Sequence, residues 1–242
     1  MAGNEDKNKK WRPLQKIFTE VPGRYDLMNR VLTLRFDERW RKMAARECLS
    51  GNPARVLDMC TGTGDLAINI ARLADGNPEI IGLDYSDGML SIARKKALKK
   101  GYDSIRFIRG DAASMPFDNR SVDVIGIAFA FRNLTYKNPD RTIFMKEIYR
   151  ILVPGGRFII VETSQPVSKI MKIFFYTYLK VFVAGAGGWI SGHKSAYKYL
   201  AASARNFYSP EEVSEMISES GFKKIHYNAL FGGIAGITVA TK

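Results

Sequence analysis

Short apolar runs alternate with amphipathic stretches along most of this chain. ARVLDM at 54–59 reads as a buried strand and LAINIARLA at 66–74 as a helix. EIIGLD at 79–84 is a second strand, followed by a helix around MLSIARKKALKK at 89–100. SIRFIRG at 104–110 and VDVIGIAFA at 122–130 give a third and a fourth strand. RTIFMKEIYRIL at 141–152 is a helix that Pro154-Gly155-Gly156 should stop, and RFIIVET at 157–163 is a fifth strand. Strands that alternate with helices argue for βαβ units, and so for a parallel sheet covered by helices on both faces. Continuous apolar runs such as VIGIAF suit strands buried on both sides.

Two regions break the rhythm. Residues 11–49 read as one or two helices, LQKIFTEVPGRYDLMNRVL and then DERWRKMAARECL. Thr163 to Pro210 contains no Asp or Glu, but six Lys or Arg and ten aromatic residues. A helix, SPEEVSEMISESG, then follows, with Ser209 placed to cap it and Gly221 to end it. KKIHYNAL and GITVATK close the chain as strands. The expected organisation is a disordered polar tail at 1–10 and one domain over 11–242. Within that domain, 11–49 forms a helical cap and 166–208 an apolar, basic insertion near the substrate site.

Composition narrows the classes. The 242 residues carry a net charge of +13, so an anionic partner must be considered: nucleic acid, a phospholipid surface or an acidic ligand. Cys48 and Cys60 are the only cysteines, which suggests reduced thiols rather than a disulfide framework or a zinc site. No secretory leader pattern opens the chain. Lys172 and Lys180 interrupt the apolar block at 170–190, which falls short of a membrane span.

The chemistry gathers at strand ends. Asp58-Met-Cys-Thr-Gly-Thr-Gly-Asp65 joins the first strand to the first helix, where Gly62 and Gly64 permit a sharp turn and close ligand approach. Glycines at this spacing also fit a dinucleotide loop. A pyrophosphate, however, is disfavoured between Asp58 and Asp65, whereas a cationic ligand is favoured there. Asp84 ends the second strand, as a ribose-binding acid should, and Asp111-Ala112 ends the third, where adenine would lie. Carboxylates at three successive strand ends should line one crevice for S-adenosylmethionine (SAM), whose sulfonium and ammonium are positive.

Longer segments then narrow the reading: Tyr25-Asp-Leu-Met-Asn29, Trp40-Arg41, DMCTGTGD, GLDYSDGML, GDAASMPFDNRSVDV, Phe131-Arg132-Asn133-Leu134, MKEIYRILVPGG, VETSQP, Tyr197-Lys-Tyr199-Leu200 with Ser203, and Phe231-Gly-Gly-Ile234. These resemble the ubiquinone/menaquinone C-methyltransferase family along almost the whole chain. The resemblance implies a Rossmann-like class I SAM-dependent methyltransferase. Its mostly parallel seven-stranded sheet would have helices on both faces and an antiparallel last strand. It also implies SAM contacts from Thr63, Asp84, Asp111 and Ala112, with Asp58, Gly62, Gly64, Tyr85 and Met115 around the same site. The implied reaction is C-methylation of a polyprenyl quinol, demethylmenaquinol before a benzoquinol of ubiquinone synthesis. S-adenosylhomocysteine would be the second product.

That chemistry needs alignment and phenolate stabilisation but no metal, because a sulfonium methyl is already activated. Arg132, just after the fourth strand, is the first candidate to stabilise the phenolate, and it cannot serve as an ordinary base. Tyr25, Asn29, Asn133 and Tyr197 are candidates to orient the ring; His193 is a weaker one. Ala128-Phe129-Ala130-Phe131 departs from the family's small polar residue and glycine, so no side-chain hydrogen bond to the cofactor is expected there. An isoprenoid quinol partitions into the bilayer. The enzyme is therefore expected in the cytoplasm, in transient peripheral contact with the inner face of the membrane through the acid-free block. That block could instead pack as a lid or homodimer surface. Nucleic acid is not the expected substrate, since an Asn/Asp-Pro-Pro-Tyr/Phe motif and a Pro-Cys nucleophile are both lacking. A non-enzymatic quinone carrier would not need an intact SAM site.

Overall fold

A computed structural model describes Arg30, Thr33 and residues 35–166, 168–187 and 201–242. Among the described residues, seven strands form one sheet in the order β3-β2-β1-β4-β5-β7-β6. They are β1 (Arg55–Met59), β2 (Glu79–Asp84), β3 (Arg106–Arg109), β4 (Val122–Ala128), β5 (Leu152–Thr163), β6 (Lys223–Leu230) and β7 (Ala235–Thr241). β1 pairs in parallel with β2 and β4, and β5 continues the parallel set beside β4. β7 runs antiparallel between β5 and β6. The chain winds outward from β1 in one direction and then, at β4, in the other. A crevice therefore opens at the carboxyl ends of β1 and β4, where such sheets bind ligands.

Helices cover both faces. On one side α1 (Asp37–Leu49), α2 (Asp65–Leu73) and α3 (Asp87–Lys99) bury Ala44, Cys48, Leu66, Ile70, Leu90 and Ala93 against Val56, Val124 and Ile159. On the other side α5 (Arg141–Ile151) and α7 (Pro210–Glu219) bury Ile148, Ile151, Val213 and Ile217 against Leu57, Ile125 and Ile160. Neighbours such as Val56 and Leu57 point to opposite layers, which is why these strands read as continuous apolar runs. α1 sits close to the sheet at Gly126, where an added Cβ would fall 2.9 Å from Cys48 Sγ. Burial drives the Cys48 thiol far above its ordinary titration range.

The expected elements recur with small shifts. Ser209 caps α7 in a capping box: its hydroxyl accepts from Glu212 N at 3.2 Å, and Glu212 Oε2 accepts from Ser209 N at 2.7 Å. Gly221 follows at φ +97°. The helix expected over 141–152 ends at Ile151, and Pro154-Gly155-Gly156 lies inside β5 instead of before it. Gly155, at φ +76°, bends the strand where the β4–β5 register shifts, and it donates to Lys242 O at 3.1 Å. A bulge can use a proline and glycines that would otherwise break a strand. β4 stops at Ala128 because Phe129 adopts φ +58°, and the short α4 (Phe131–Thr135) follows. The tail at 1–10, the expected helix LQKIFTEVPGRYDLMNRVL at 14–32 apart from Arg30, with its Tyr25 and Asn29, and His193 and Tyr197 lie outside the described residues.

Candidate active site

The β1–α2 loop is built around Asp58. This side chain is 1% exposed, and its Oδ2 accepts from Thr61 Oγ1 at 2.5 Å and from Ala67 N at 2.9 Å. The carboxylate thus ties both ends of the glycine turn together from below. Burial pushes its pKa up to about 7, opposed by those two hydrogen bonds and by Arg41, with Asp84 adding to the rise. Gly64, at φ +82°, enters α2, and an added Cβ would stand 3.0 Å from Ala93 Cβ and 3.1 Å from Phe107 Cζ. Here only glycine satisfies both the left-handed backbone and the tight helix contact. Thr63 is buried, and its Oγ1 accepts from Lys96 Nζ at 2.8 Å. The same Lys96 pairs with Asp65 at 2.7 Å. Of the two acids expected beside a cationic ligand, Asp65 is therefore already neutralised within the protein.

The ends of β2 and β3 supply the rest of the rim. Asp84 accepts from Gly62 N at 2.8 Å and from Ser86 N at 2.9 Å, which locks the loop to the second strand. A carboxylate has about four lone-pair directions, so two such bonds leave room for a diol. Tyr85 beside it is exposed, with Arg109 packed over its ring at 5.7 Å. Asp111 lies two residues past β3, exposed, and accepts from Ala113 N at 2.8 Å. Ala112 and Met115 are buried, and Met115 N donates to Glu147 Oε1 at 2.6 Å. Cys60 marks where the three carboxylates converge. Its thiol is held well above its usual range by burial first, and then by the fields of Asp84, Asp58 and Asp111. Asp58, Asp84 and Asp111 thus share one neighbourhood. They lie within, at the end of and just past their strands, rather than all at strand tips.

Across the crevice, Arg132 is buried at 1% exposure on α4. Glu162, at the end of β5 and 4% exposed, accepts from Arg132 Nη1 at 3.0 Å through Oε1 and from Arg132 N at 3.1 Å through Oε2. Arg132 Nη1 also donates to Thr163 Oγ1. Arg132 Nε is buried and has no hydrogen-bond partner among the described residues. Asn133 is half-buried, and its backbone N donates to Ala130 O at 3.0 Å. Phe129 is packed between Trp40 and Arg41, the latter 5.0 Å above its ring.

Glu162 and Lys96 were not singled out from the sequence. Glu162 stands in the quoted VETSQP segment, and pairing of β4 with β5 brings Val161 opposite Ala128. A charged residue one step beyond that pair is the signal that would have found it. Lys96 is one of several lysines in its helix, and nothing in their spacing distinguishes it.

The sheet order and the carboxylates beside β1, β2 and β3 define the fold of the Rossmann-like class I methyltransferases. A SAM-dependent methyltransferase from Thermotoga maritima shares it, with a TM-score of 0.63 at 21% identity over 94% of this chain and 98% of that one. The ubiE/COQ5 methyltransferase family profile matches residues 4–242, and the chain belongs to that family. The demethylmenaquinone methyltransferase of Deinococcus radiodurans is 41% identical over 237 residues, covering 98% of this chain and 95% of its own. That of Thermotoga maritima is 42% identical over 226 residues, covering 93% of each.

Proposed function

We propose that this enzyme methylates a ring carbon of a polyprenyl quinol, converting demethylmenaquinol to menaquinol with SAM as donor. One observation carries the reading. Eight relatives named demethylmenaquinone methyltransferase are 29–42% identical to this chain, each over at least 93% of its length. When bound, SAM supplies a sulfonium-activated methyl group; the ring carbon takes it, S-adenosylhomocysteine leaves, and the ring hydrogen departs as a proton. The residues suit that donor. Asp84 has lone pairs left for the ribose hydroxyls, and Asp111 with the Ala112 backbone would meet the adenine. Thr63, Gly62 and Gly64 would border the methionine end, with Tyr85 and Met115 along the rim. Asp58 and its neighbouring carboxylates favour a positive ligand. Arg132 would stabilise the developing phenolate through hydrogen bonding, with Asn133, Tyr25 and Tyr197 orienting the ring. A bilayer-soluble quinol implies transient membrane contact by an enzyme of the cytoplasm.

The test is incubation with methyl-labelled SAM and either demethylmenaquinol or the demethylated benzoquinol of ubiquinone synthesis. Label on the naphthoquinol ring is expected. Label only on the benzoquinol would move the enzyme to ubiquinone synthesis, and label on neither, with SAM bound, would end the quinol reading.

A further inference from the structure

We propose that the outward face of α6 (Lys169–Tyr178) and its π-helical continuation (Leu179–Gly187) docks on the headgroup region of an anionic bilayer. A helix in water normally buries its large apolar side chains. Here Ile170 is 81% exposed, Ile173 68%, Phe174 53%, Val181 52% and Phe182 56%. Ile170, Ile173 and Phe174 stand at i, i+3 and i+4, so they share one side of the helix. Phe175, Leu179 and Val183 form the opposite, buried side, packed into the core beneath the sheet. Tyr176 fixes that orientation: its hydroxyl donates to Gln165 Oε1 at 2.6 Å, while Gln165 Nε2 donates to Ala204 O at 3.1 Å and Phe207 O at 3.2 Å. The exposed stripe is therefore held outward by the packing of its reverse side.

Charge selects the occupant. Lys169, Lys172 and Lys180 recur along one edge of the stripe, and no acidic residue occurs between Glu162 and Glu211. Lysines beside an apolar helical face can lay their stems on it and reach anionic headgroups, while the aromatic and branched side chains enter the acyl boundary. A second copy of this chain would instead bring the same positive edge to the stripe. Among the described residues no helix is long and apolar enough to span the bilayer, so the contact lies in the interfacial plane.

The stripe also adjoins the site. An added Cβ at Gly232 would meet Met171 Cε at 2.8 Å, so α6 lies against the β6–β7 turn. Phe231 in that turn is 45% exposed and stacks on Phe36 at 4.8 Å. Phe36 stacks on Trp40 at 5.8 Å, and Trp40 meets Phe129 at 6.4 Å. This aromatic file runs from the docking face to the end of β4, beside Arg132. Trp40 and Phe129 are buried in the core, so the file ties the docking face mechanically to the site. Delivery of a bilayer-soluble acceptor from that face rests on the quinol reading; the stripe itself does not.

The test uses the full chain and the variant Ile173→Glu/Phe174→Glu, with phosphatidylcholine vesicles with and without phosphatidylglycerol. Wild type should sediment with the phosphatidylglycerol vesicles, and the variant should lose at least about tenfold in partitioning. The variant should keep near wild-type turnover of a short-tailed, water-soluble demethylquinol but lose turnover of a long-tailed one embedded in vesicles. Equal vesicle binding by both proteins, or none by wild type, would overturn the proposal. So would a wild-type dimer that the variant splits while vesicle binding stays unchanged. Should wild type bind vesicles yet methylate neither quinol, the docking face stands and the quinol reading falls.

Discussion

Replacing Arg132 by Ala is the obvious probe of catalysis, and the structure shows why its result will mix two effects. Arg132 is 1% exposed and Glu162 4%, so the pair is wholly out of water. Removing the guanidinium strands a buried carboxylate, a change that costs about 3–5 kcal/mol in comparable pairs. Glu162 would still accept from Thr163 N at 2.9 Å, from Thr163 Oγ1 at 3.0 Å and from the backbone N of residue 132. Those bonds place the cost near about 3 kcal/mol, and a domain of this size should lose about 6–12 °C in Tm. The double variant Arg132→Met/Glu162→Leu removes both charges at similar volume and should return most of that stability. Urea unfolding reads the difference as a shift in midpoint at constant slope. A midpoint for Arg132→Ala equal to wild type would refute the buried pair, as would a double variant no more stable than the single one. Turnover of the double variant then isolates chemistry. Wild-type rates would leave Arg132 with a structural role only, whereas loss of rate in a stable protein would keep it in the reaction.

Other expectations follow from single contacts. Asp58, at about 7 when folded, should make SAM binding strengthen as pH rises from about 6 to 8, because a cationic ligand prefers the ionised carboxylate. Calorimetric titration checks this, and Asp58→Asn should flatten the profile. The same variant should be the more stable protein at about pH 8, seen by thermal unfolding, since its amide oxygen can still accept from Thr61 and Ala67. Gly64→Ala forces a side chain onto φ +82° and against Ala93 and Phe107, and should cost about 2 kcal/mol or more by urea titration, together with weaker SAM binding. Ser209→Ala dismantles the capping box of α7 and should cost about 1 kcal/mol without touching SAM affinity.

The sheet was legible because its strands carry their own punctuation. Glu79–Asp84 was bounded to the residue, since its apolar run begins and ends on charges. The start of β5 was misplaced because Pro154-Gly155-Gly156 marks a break by local rules, and only pairing with β4 and the chain's last residue turns it into a bulge. The short α4 was missed because five residues hold too little periodicity, and its entry depends on Phe129 taking a left-handed backbone that no local signal announces. The carboxylates were legible as a set, but their division of labour was not. Lys96 neutralises Asp65 and Thr61 holds Asp58, contacts set by how α3 and the loop fold back on one another.

Asp58 is where stability and ligand binding pull against each other. Its carboxyl titrates at about 7 in the folded protein against 3.8 as a free side chain, with burial the main cause. The folded state therefore holds a proton that the unfolded chain has given up, and the stability this provides is complete below about pH 4 and gone once pH passes about 7. At about 1.36 kcal/mol per unit, the ionised group costs the fold about 4 kcal/mol. Asn at this position could make the same two hydrogen bonds without that cost, so loop geometry alone does not explain an acid here. The proposed donor site would explain it: a cationic ligand held near Asp58 would recover part of the desolvation energy that folding leaves outstanding. On that proposal the cost would be relieved only while the donor is positive, so S-adenosylhomocysteine, which has lost the sulfonium charge, should bind with a weaker pH dependence than SAM.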